Sequence, residues 1–288
     1  MSGIVYLNGE FLPADQAKVS IFDRGFLFAD SLYEVIPFYH NVGFRLDEHL
    51  QRLAHGMKSI QIELDVDFCA LCSEVVHRNG GGNQAVYLQI TRGEDSRRRF
   101  TCPTPLVPTL LIFSYPINVA LEGDLSLVQG IHAITTEDIR WRHCEIKTTA
   151  LLGNIMALQK ALDVGAQEAL MVRDGVLTEG SSCNLFVVID GIIHTPAMSD
   201  DILGGTTRKL LLELATEHGI PWRESELPLT IIEQAEEVWI SSSTRGVIPV
   251  LKVDGKSIGQ ATAGPVWQRL ATLYQRFEQQ RCQLGEGC

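Results

Sequence analysis

No stretch of this sequence approaches the roughly 20 apolar residues needed to span a bilayer. The opening MSGIVYLNGEFLPAD has neither the basic start nor the unbroken apolar run of a secretory signal. These two absences argue against membrane insertion and export, and the cytoplasm is the expected compartment. Basic residues form no block beyond Arg97–Arg99, and the formal net charge is −11. Nucleic acid is therefore not an expected partner. The seven cysteines show no framework spacing, and an odd number scattered through a chain this long points to reduced thiols rather than disulfides. Cys69 and Cys72 make a C-x-x-C, but no second ligand pair follows at zinc spacing, so no metal site is expected. There is no internal repeat and no low-complexity segment.

What remains is an ordinary soluble composition, 45% hydrophobic and 20% charged over 288 residues, long enough for two domains. The pattern is α+β. Asn8–Glu10 (NGE) offers a hairpin turn near the start, and DSLYEVIPFYHNVGFRL reads as two strands around a turn at Asn41–Gly43. Leu46, Leu50, Leu53 and Met57 repeat at helical spacing behind acids in the first turn, and another helix is expected over about residues 66 to 78. QAVYLQITRG and TLLIFSYPI follow as strands. The pattern breaks at PINVALEGDLS, which gives an expected N-terminal domain of 1–117, a linker of about 118–123 and a C-terminal domain of 124–288. In the latter, Asp-Gly pairs at Asp174, Asp190 and Asp254 sit between apolar runs as hairpin turns do. Helices are expected at TTALLGNIMALQKALDVG, TTRKLLLELATEHG and GPVWQRLATLYQRFEQQ.

Three segments could carry chemistry. In EDIRWRHCEIKTTALLGN, Lys147 is placed at the end of a strand (DIRWRHCEI) and just before a helix beginning near Thr148. A free lysine is deprotonated only about once in a few thousand molecules at neutral pH, so a nucleophilic one needs burial or cations nearby; Arg140 and Arg142 are the sequence neighbours. A strand end in water is the plainer reading. LTEGSSCNLFVV sets Glu179 beside a tight turn rich in backbone donors. A nucleophilic Ser182 or Cys183 has no histidine placed as its base. DILGGTTRKLLLELA puts two glycines, Thr206 and Thr207 before an amphipathic helix, which suits a phosphate, although Thr206 could equally be an N-cap. ISSSTRG is a second hydroxyl-rich turn, and Arg52 is a candidate charged partner. A positioned lysine, a carboxylate and phosphate-type turns together suit pyridoxal phosphate, which has an aldehyde, a ring nitrogen and a phosphate.

In order and spacing, SIFDRGFLFADSLYEVI, RLDEHLQRL, YLQITRG, EDIRWRHCEIKTTALLGN, EALMVRDGVLTEGSSCNLFVV, ILGGTTR and VWISSSTRGVIPV resemble the fold-type IV pyridoxal-phosphate enzymes. The nearest likeness is to bacterial D-amino-acid transaminases. The resemblance implies a two-domain fold, with a small N-terminal α/β domain and a larger C-terminal pseudo-barrel, assembled as a homodimer. It implies Lys147 as the Schiff-base lysine and Glu179 as the acid paired with the pyridine nitrogen. Arg52, Thr206, Thr207 and Ser243 match phosphate-binding positions, Leu203 the residue packed on the cofactor ring, and Tyr33 a tyrosine near the substrate carboxylate. The family's carboxylate-trapping Arg-x-His pair, supplied by the neighbouring subunit, departs here: Arg97 aligns with the arginine, but Arg99 stands at the histidine position in a loop that reads one residue longer. A second guanidinium there could still bind a carboxylate. The implied reaction exchanges amino groups between D-amino acids and 2-oxo acids. The same fold also serves 4-amino-4-deoxychorismate lyase and L-branched-chain transaminases.

Overall fold

The computed structural model describes residues 3–102, 106–119 and 121–284, with side chains through Arg281. By contact the chain falls into two units. The main body of the first is Met1–Val119, joined by Ile146–Ala150; the second is Ala120–Glu145 and Leu151–Gln280.

The first unit opens on the hairpin β1 (Ile4–Leu7) and β2 (Glu10–Pro13), whose Asn8 and Gly9 both take positive φ, as a tight two-residue turn requires. A short helix α1 (Arg24–Phe28) is capped by the carboxylate of Asp23, which accepts from Gly25 N. Then come β3 (Ser31–Tyr39), β4 (Val42–Gly43), helices α2 (Leu46–Ser59) and α3 (Phe68–Arg78), and strands β5 (Gln84–Thr91) and β6 (Thr109–Pro116). The β3–β4 turn falls on His40 and Asn41, both at positive φ, one residue earlier than the sequence suggests. Among the described residues the strands form a six-stranded antiparallel sheet in the order β2-β1-β6-β5-β3-β4. One face is sealed: Leu32, Ile36, Val86, Leu88, Ile90 and Ile112 meet Leu53 and Met57 of α2 and Val75 and Val76 of α3. Each such side chain contributes on the order of 1.5–3 kcal/mol by burial. The alternate residues of the same strands, including Tyr33, Tyr87 and Phe113, are half-buried and stack as a ladder of rings.

The second unit runs β7 (Ile131–Glu137), α4 (Leu152–Asp163), β8 (Glu168–Arg173), β9 (Val176–Gly180), β10 (Asn184–Ile189), β11 (Ile192–Pro196), α5 (Thr206–Glu217), β12 (Trp222–Ser225), β13 (Glu237–Ser242), β14 (Gly246–Val253), β15 (Lys256–Ser257) and α6 (Pro265–Leu284). Its described strands make a nine-stranded mixed sheet, ordered β12-β11-β10-β13-β14-β7-β8-β9 with β15 on β14, the curled sheet of the expected pseudo-barrel. All three Asp-Gly pairs are hairpin turns with positive φ at both residues. Gly165 and Gly219, just past α4 and α5, also take positive φ. The core gathers Leu170, Leu177, Leu185, Val187, Val238 and Ile240, while Ala157 and Ala161 of α4 lie on Ala169 and Met171.

Four expectations need correction. DIRWRHCEI is not a strand: Asp138–Glu145 form turns and bends, and α4 starts at Leu152 rather than near Thr148. Buried side-chain pairing of Asp138 and Arg140, and the bond from Cys144 N to Asp200 O, replace a strand ladder there. Residues 146–150, which the sequence division puts in the C-terminal domain, pack with the first unit, where Ile146 reaches the core. The N-cap of α5 is Gly205, and Thr206 is its first helical residue. Lastly, the thiols are not all reduced. Cys69, half-buried on α3, is disulfide-bonded, while Cys72, Cys102, Cys144 and Cys183 are free.

Candidate active site

In the first unit, Lys147 is fixed by backbone rather than by a strand of its own. Its carbonyl accepts from Tyr33 N at 3.0 Å, Leu32 bridges Thr148, and Ser31 and Thr149 join hydroxyls beside it. This ties the segment antiparallel to the start of β3 and places Lys147 Nζ 4.2 Å from the centre of the Tyr33 ring. The expected arginine neighbours are elsewhere engaged. Arg140 is buried on carboxylates of the second unit, and Arg142, 69% exposed, lies 3.6 Å from Asp174.

Beneath Tyr33 the next residue, Glu34, is fully buried on the sealed face of the sheet. Arg52 Nε donates to its Oε1 and Nη2 to its Oε2, each at 2.7 Å, and His49 Nδ1 shares Oε2 at 2.7 Å. Burial pushes the Glu34 carboxyl up, but the Arg52 guanidinium and then His49 more than offset this and hold it well below the ordinary range. Burial also lowers His49, against the pull of Glu34, and Arg52 and Lys147 lower it further. His49 is thus neutral, with its proton on Nδ1 and donated to Glu34.

In the second unit Glu179, 5% exposed, closes β9. Three N–H groups converge on its carboxylate: Arg140 Nη1 on Oε1, and Asn184 Nδ2 and Leu203 N, each 3.1 Å from Oε2. Asn184 also donates to the Leu203 carbonyl at 2.8 Å, which stitches the Leu203 loop to β10. Arg140 is held in turn by Asp138, which accepts from its Nε at 2.9 Å and its Nη2 at 2.7 Å, and from Thr178 Oγ1. Burial raises Asp138, but bonding and attraction to Arg140 outweigh it and leave the carboxyl below its ordinary value.

The hydroxyl-rich turns meet at the start of α5, where Thr206 Oγ1 lies 3.2 Å from Ser243 Oγ and Thr207 is buried. Gly205, at the N-cap, offers no side chain to the first amides of this 12-residue helix. A Cβ there would fall 2.0 Å from Asn184 Oδ1, so the close approach itself requires glycine. Behind the turn, Glu168 is 1% exposed and accepts from Ser181 N at 3.0 Å and Arg245 Nη2 at 2.8 Å. A carboxylate fixed by N–H donors and a helix N-terminus without a side-chain cap, beside two hydroxyl turns, fit a ligand with a basic ring nitrogen and a phosphate.

The expected substrate arginines sit in the loop after β5, and they differ. Arg99 spends its fork on its own loop, donating to Asp95 from Nε at 2.9 Å and Nη2 at 3.1 Å. Arg98 lies over the Phe28 and Phe100 rings, and Arg97 is exposed. Buried Arg24 organises the loop by donating to Arg99 O at 2.8 Å and to Asp30. Sequence reasoning passed over Glu34, His49, Asp138, Glu168 and Asp95. For Glu34 and Glu168 the signal was present, a charge within a run of buried strand residues.

A fixed lysine, a donor-ringed carboxylate and a phosphate-type helix end, on an α+β chain with a curled sheet, define a class of group-transfer enzyme that works through a cofactor. The comparisons narrow this. The family model for amino-transferase class IV matches residues 31–253. The D-alanine aminotransferase of Staphylococcus epidermidis is 34% identical over 278 residues, covering 96% of this chain and 98% of its own. Among solved structures, the branched-chain amino acid aminotransferase of Escherichia coli superposes with a TM-score of 0.89 at 27% identity, over 96% of this chain and 94% of that one. The T.th. branched-chain amino acid aminotransferase, solved with pyridoxamine 5'-phosphate, gives a TM-score of 0.88 at 27% identity over the same shares. This chain belongs to the class IV aminotransferases and is an enzyme of that class.

Proposed function

We propose that this aminotransferase uses pyridoxal 5'-phosphate to exchange amino groups between D-amino acids of the D-alanine type and 2-oxo acids. The observation that carries the reading is the fixed Lys147 amine above Tyr33 in a chain 34% identical, end to end, to a D-alanine aminotransferase. The greater likeness in sequence to D-alanine aminotransferases than to the branched-chain enzymes favours the D series.

When bound, the cofactor supplies an aldehyde that condenses with primary amines and a ring that withdraws electrons from the substrate Cα. Lys147 would hold the cofactor through its amine, and once that amine is free its Nζ would take up and return the proton at the substrate Cα. Glu179, whose oxygens accept from Arg140, Asn184 and the Leu203 amide, would pair with the protonated ring nitrogen. Leu203 packs on the ring, while Arg52, Thr207, Ser243 and the amide of Thr206 hold the phosphate. Tyr33 orients the substrate beside Lys147. Arg97 binds the α-carboxylate, and the Asp95-bound Arg99 stiffens the loop that presents it. The enzyme acts as a homodimer in the cytoplasm; none of its described helices is long and apolar enough to cross a membrane.

The test is a Lys147→Ala variant assayed with D-alanine and 2-oxoglutarate. A folded protein with at least a thousandfold loss of transfer is expected, and retained turnover refutes the role given to Lys147.

A further inference from the structure

Glu34 is 0% exposed in the first unit, and stability alone does not account for a charge placed there. Exchanging a buried ion pair for apolar residues of similar volume is often neutral or stabilising, so such a pair earns its place by the geometry it enforces. The geometry here is specific. His49 and Arg52 lie three residues apart on one face of α2, and both reach the same carboxylate on β3. Glu34 takes the Nε–Nη2 edge of Arg52, so the guanidinium is clamped in one orientation with its Nη1 end turned away from the carboxylate. His49 shares Oε2 of Glu34 with Arg52 Nη2, its Nδ1 2.7 Å from that oxygen and 3.4 Å from Nη2, and so adds a second hold on the carboxylate. The clamp is also registered to the reactive amine, because the residue before Glu34 holds the Lys147 carbonyl.

We propose that Glu34 is a positioning residue for the cofactor phosphate. Through the two-point clamp on Arg52, with His49 beside it on the same carboxylate, it fixes the direction from which Arg52 meets the phosphate. The proposal rests on the reading of Arg52 as a phosphate ligand given above. Glu34 itself touches neither substrate nor cofactor in this account.

The experiment measures binding of pyridoxal phosphate, and of pyridoxal lacking the phosphate, to apoprotein prepared from the full chain, by quenching of tryptophan fluorescence. Wild type is compared with Glu34→Gln, Arg52→Gln and the double variant. Glu34→Gln is expected to weaken pyridoxal phosphate about 10- to 100-fold, the range for loss of orientation at a charge-assisted contact, while pyridoxal binding stays unchanged. In the Arg52→Gln background, Glu34→Gln is expected to add nothing, since the residue through which it acts is gone. Because Glu34→Gln leaves Arg52 without its counter-charge and folding could suffer, Glu34→Asp serves as a second variant. It keeps the charge but withdraws the carboxylate, and the same phosphate-selective loss is expected. Equal losses for pyridoxal and pyridoxal phosphate, wild-type affinity in both Glu34 variants, or additivity with Arg52→Gln overturns the positioning role. If Arg52→Gln alone leaves the preference for the phosphate intact, the reading of Arg52 falls, and the proposal with it.

Discussion

Arg140 and Arg142 stand two residues apart in the sequence Ile139–His143, yet replacing each by methionine should have very different consequences. The Arg140 side chain is 6% exposed and bonds Asp138 and Glu179, whose side chains are 0% and 6% exposed. Removing it takes a charged partner from two buried carboxylates, leaving Asp138 with Arg173 Nη2 at 3.1 Å and Glu179 with Asn184 and Leu203, and breaking a buried pair costs about 3–5 kcal/mol. That is a large share of a typical stability of roughly 5–15 kcal/mol, and at about 2–4 °C per kcal/mol it lowers Tm by about 10 °C. The Arg142 side chain is 69% exposed, 3.6 and 3.8 Å from its two acids, and its loss should cost about 0–1 kcal/mol. Urea unfolding of the two apoproteins measures both values. The pH dependence adds a sign. In the wild type, burial raises Asp138 but Arg140 brings it below its ordinary value, so its contribution is present above the ordinary carboxylate range and is lost as pH falls. In the Arg140 variant burial is opposed by Arg173 alone among the described arginines that reach Asp138, protonation costs less in the fold, and the deficit relative to wild type narrows toward pH 4. Equal costs for the two variants, or a deficit that widens in acid, would refute the reasoning.

Gly205→Ala drives a Cβ to within 2.0 Å of Asn184 Oδ1, and should cost about 1–3 kcal/mol by overpacking together with weaker cofactor binding, since Asn184 holds both Glu179 and Leu203; thermal melts and cofactor titration read the two effects. Burial and its cationic neighbours hold His49 below the ordinary 6.5, so folding keeps it neutral where the unfolded chain would be protonated. Stability should therefore start to fall as pH drops below about 6.5, and fall more steeply below the ordinary carboxylate values as Glu34 and Asp138 lose their pairs; a stability profile flat from pH 7 to pH 5 would contradict this. Thiol reagents should label the exposed Cys102 in the native state, whereas Cys72, whose thiol burial pushes up to about 12, and buried Cys183 should react no faster than the chain unfolds. Timed labelling with mass spectrometry checks it. Asp95→Asn releases the Arg99 fork and should raise the kcat/KM ratio of D-aspartate to D-alanine by about tenfold, the factor that one gained charge-assisted contact supplies.

The features legible in the sequence were those decided locally. Asp174-Gly175, Asp190-Gly191 and Asp254-Gly255 announce hairpins because both residues must take positive φ, and Gly165 and Gly219 end helices for the same reason. The segment before Lys147 departs from the strand its sequence suggests because its conformation is set by distant partners: Asp138 and Arg140 by Thr178 and Glu179, and Cys144 by Asp200. No periodicity in those eight or so residues encodes this. Glu179, the Gly-Gly-Thr-Thr turn and Lys147 stood out by residue type. Of the acids that hold their partners, Glu34 under Arg52 shows only as a lone charge in a strand run, and Asp138 under Arg140 not at all, because a side chain that acts on another side chain leaves no spacing rule of its own. Arg99 shows the converse. Its type suited a carboxylate trap, but Asp95, four residues earlier, already occupies it.

The most direct test of the account is the absorption spectrum of the purified protein as D-alanine, and then in a separate sample L-alanine, is added with no acceptor present. The account predicts a yellow protein whose visible band gives way to that of the aminated cofactor with the D isomer and not with the L isomer. A band that yields to L-alanine alone, or to neither isomer, would contradict it.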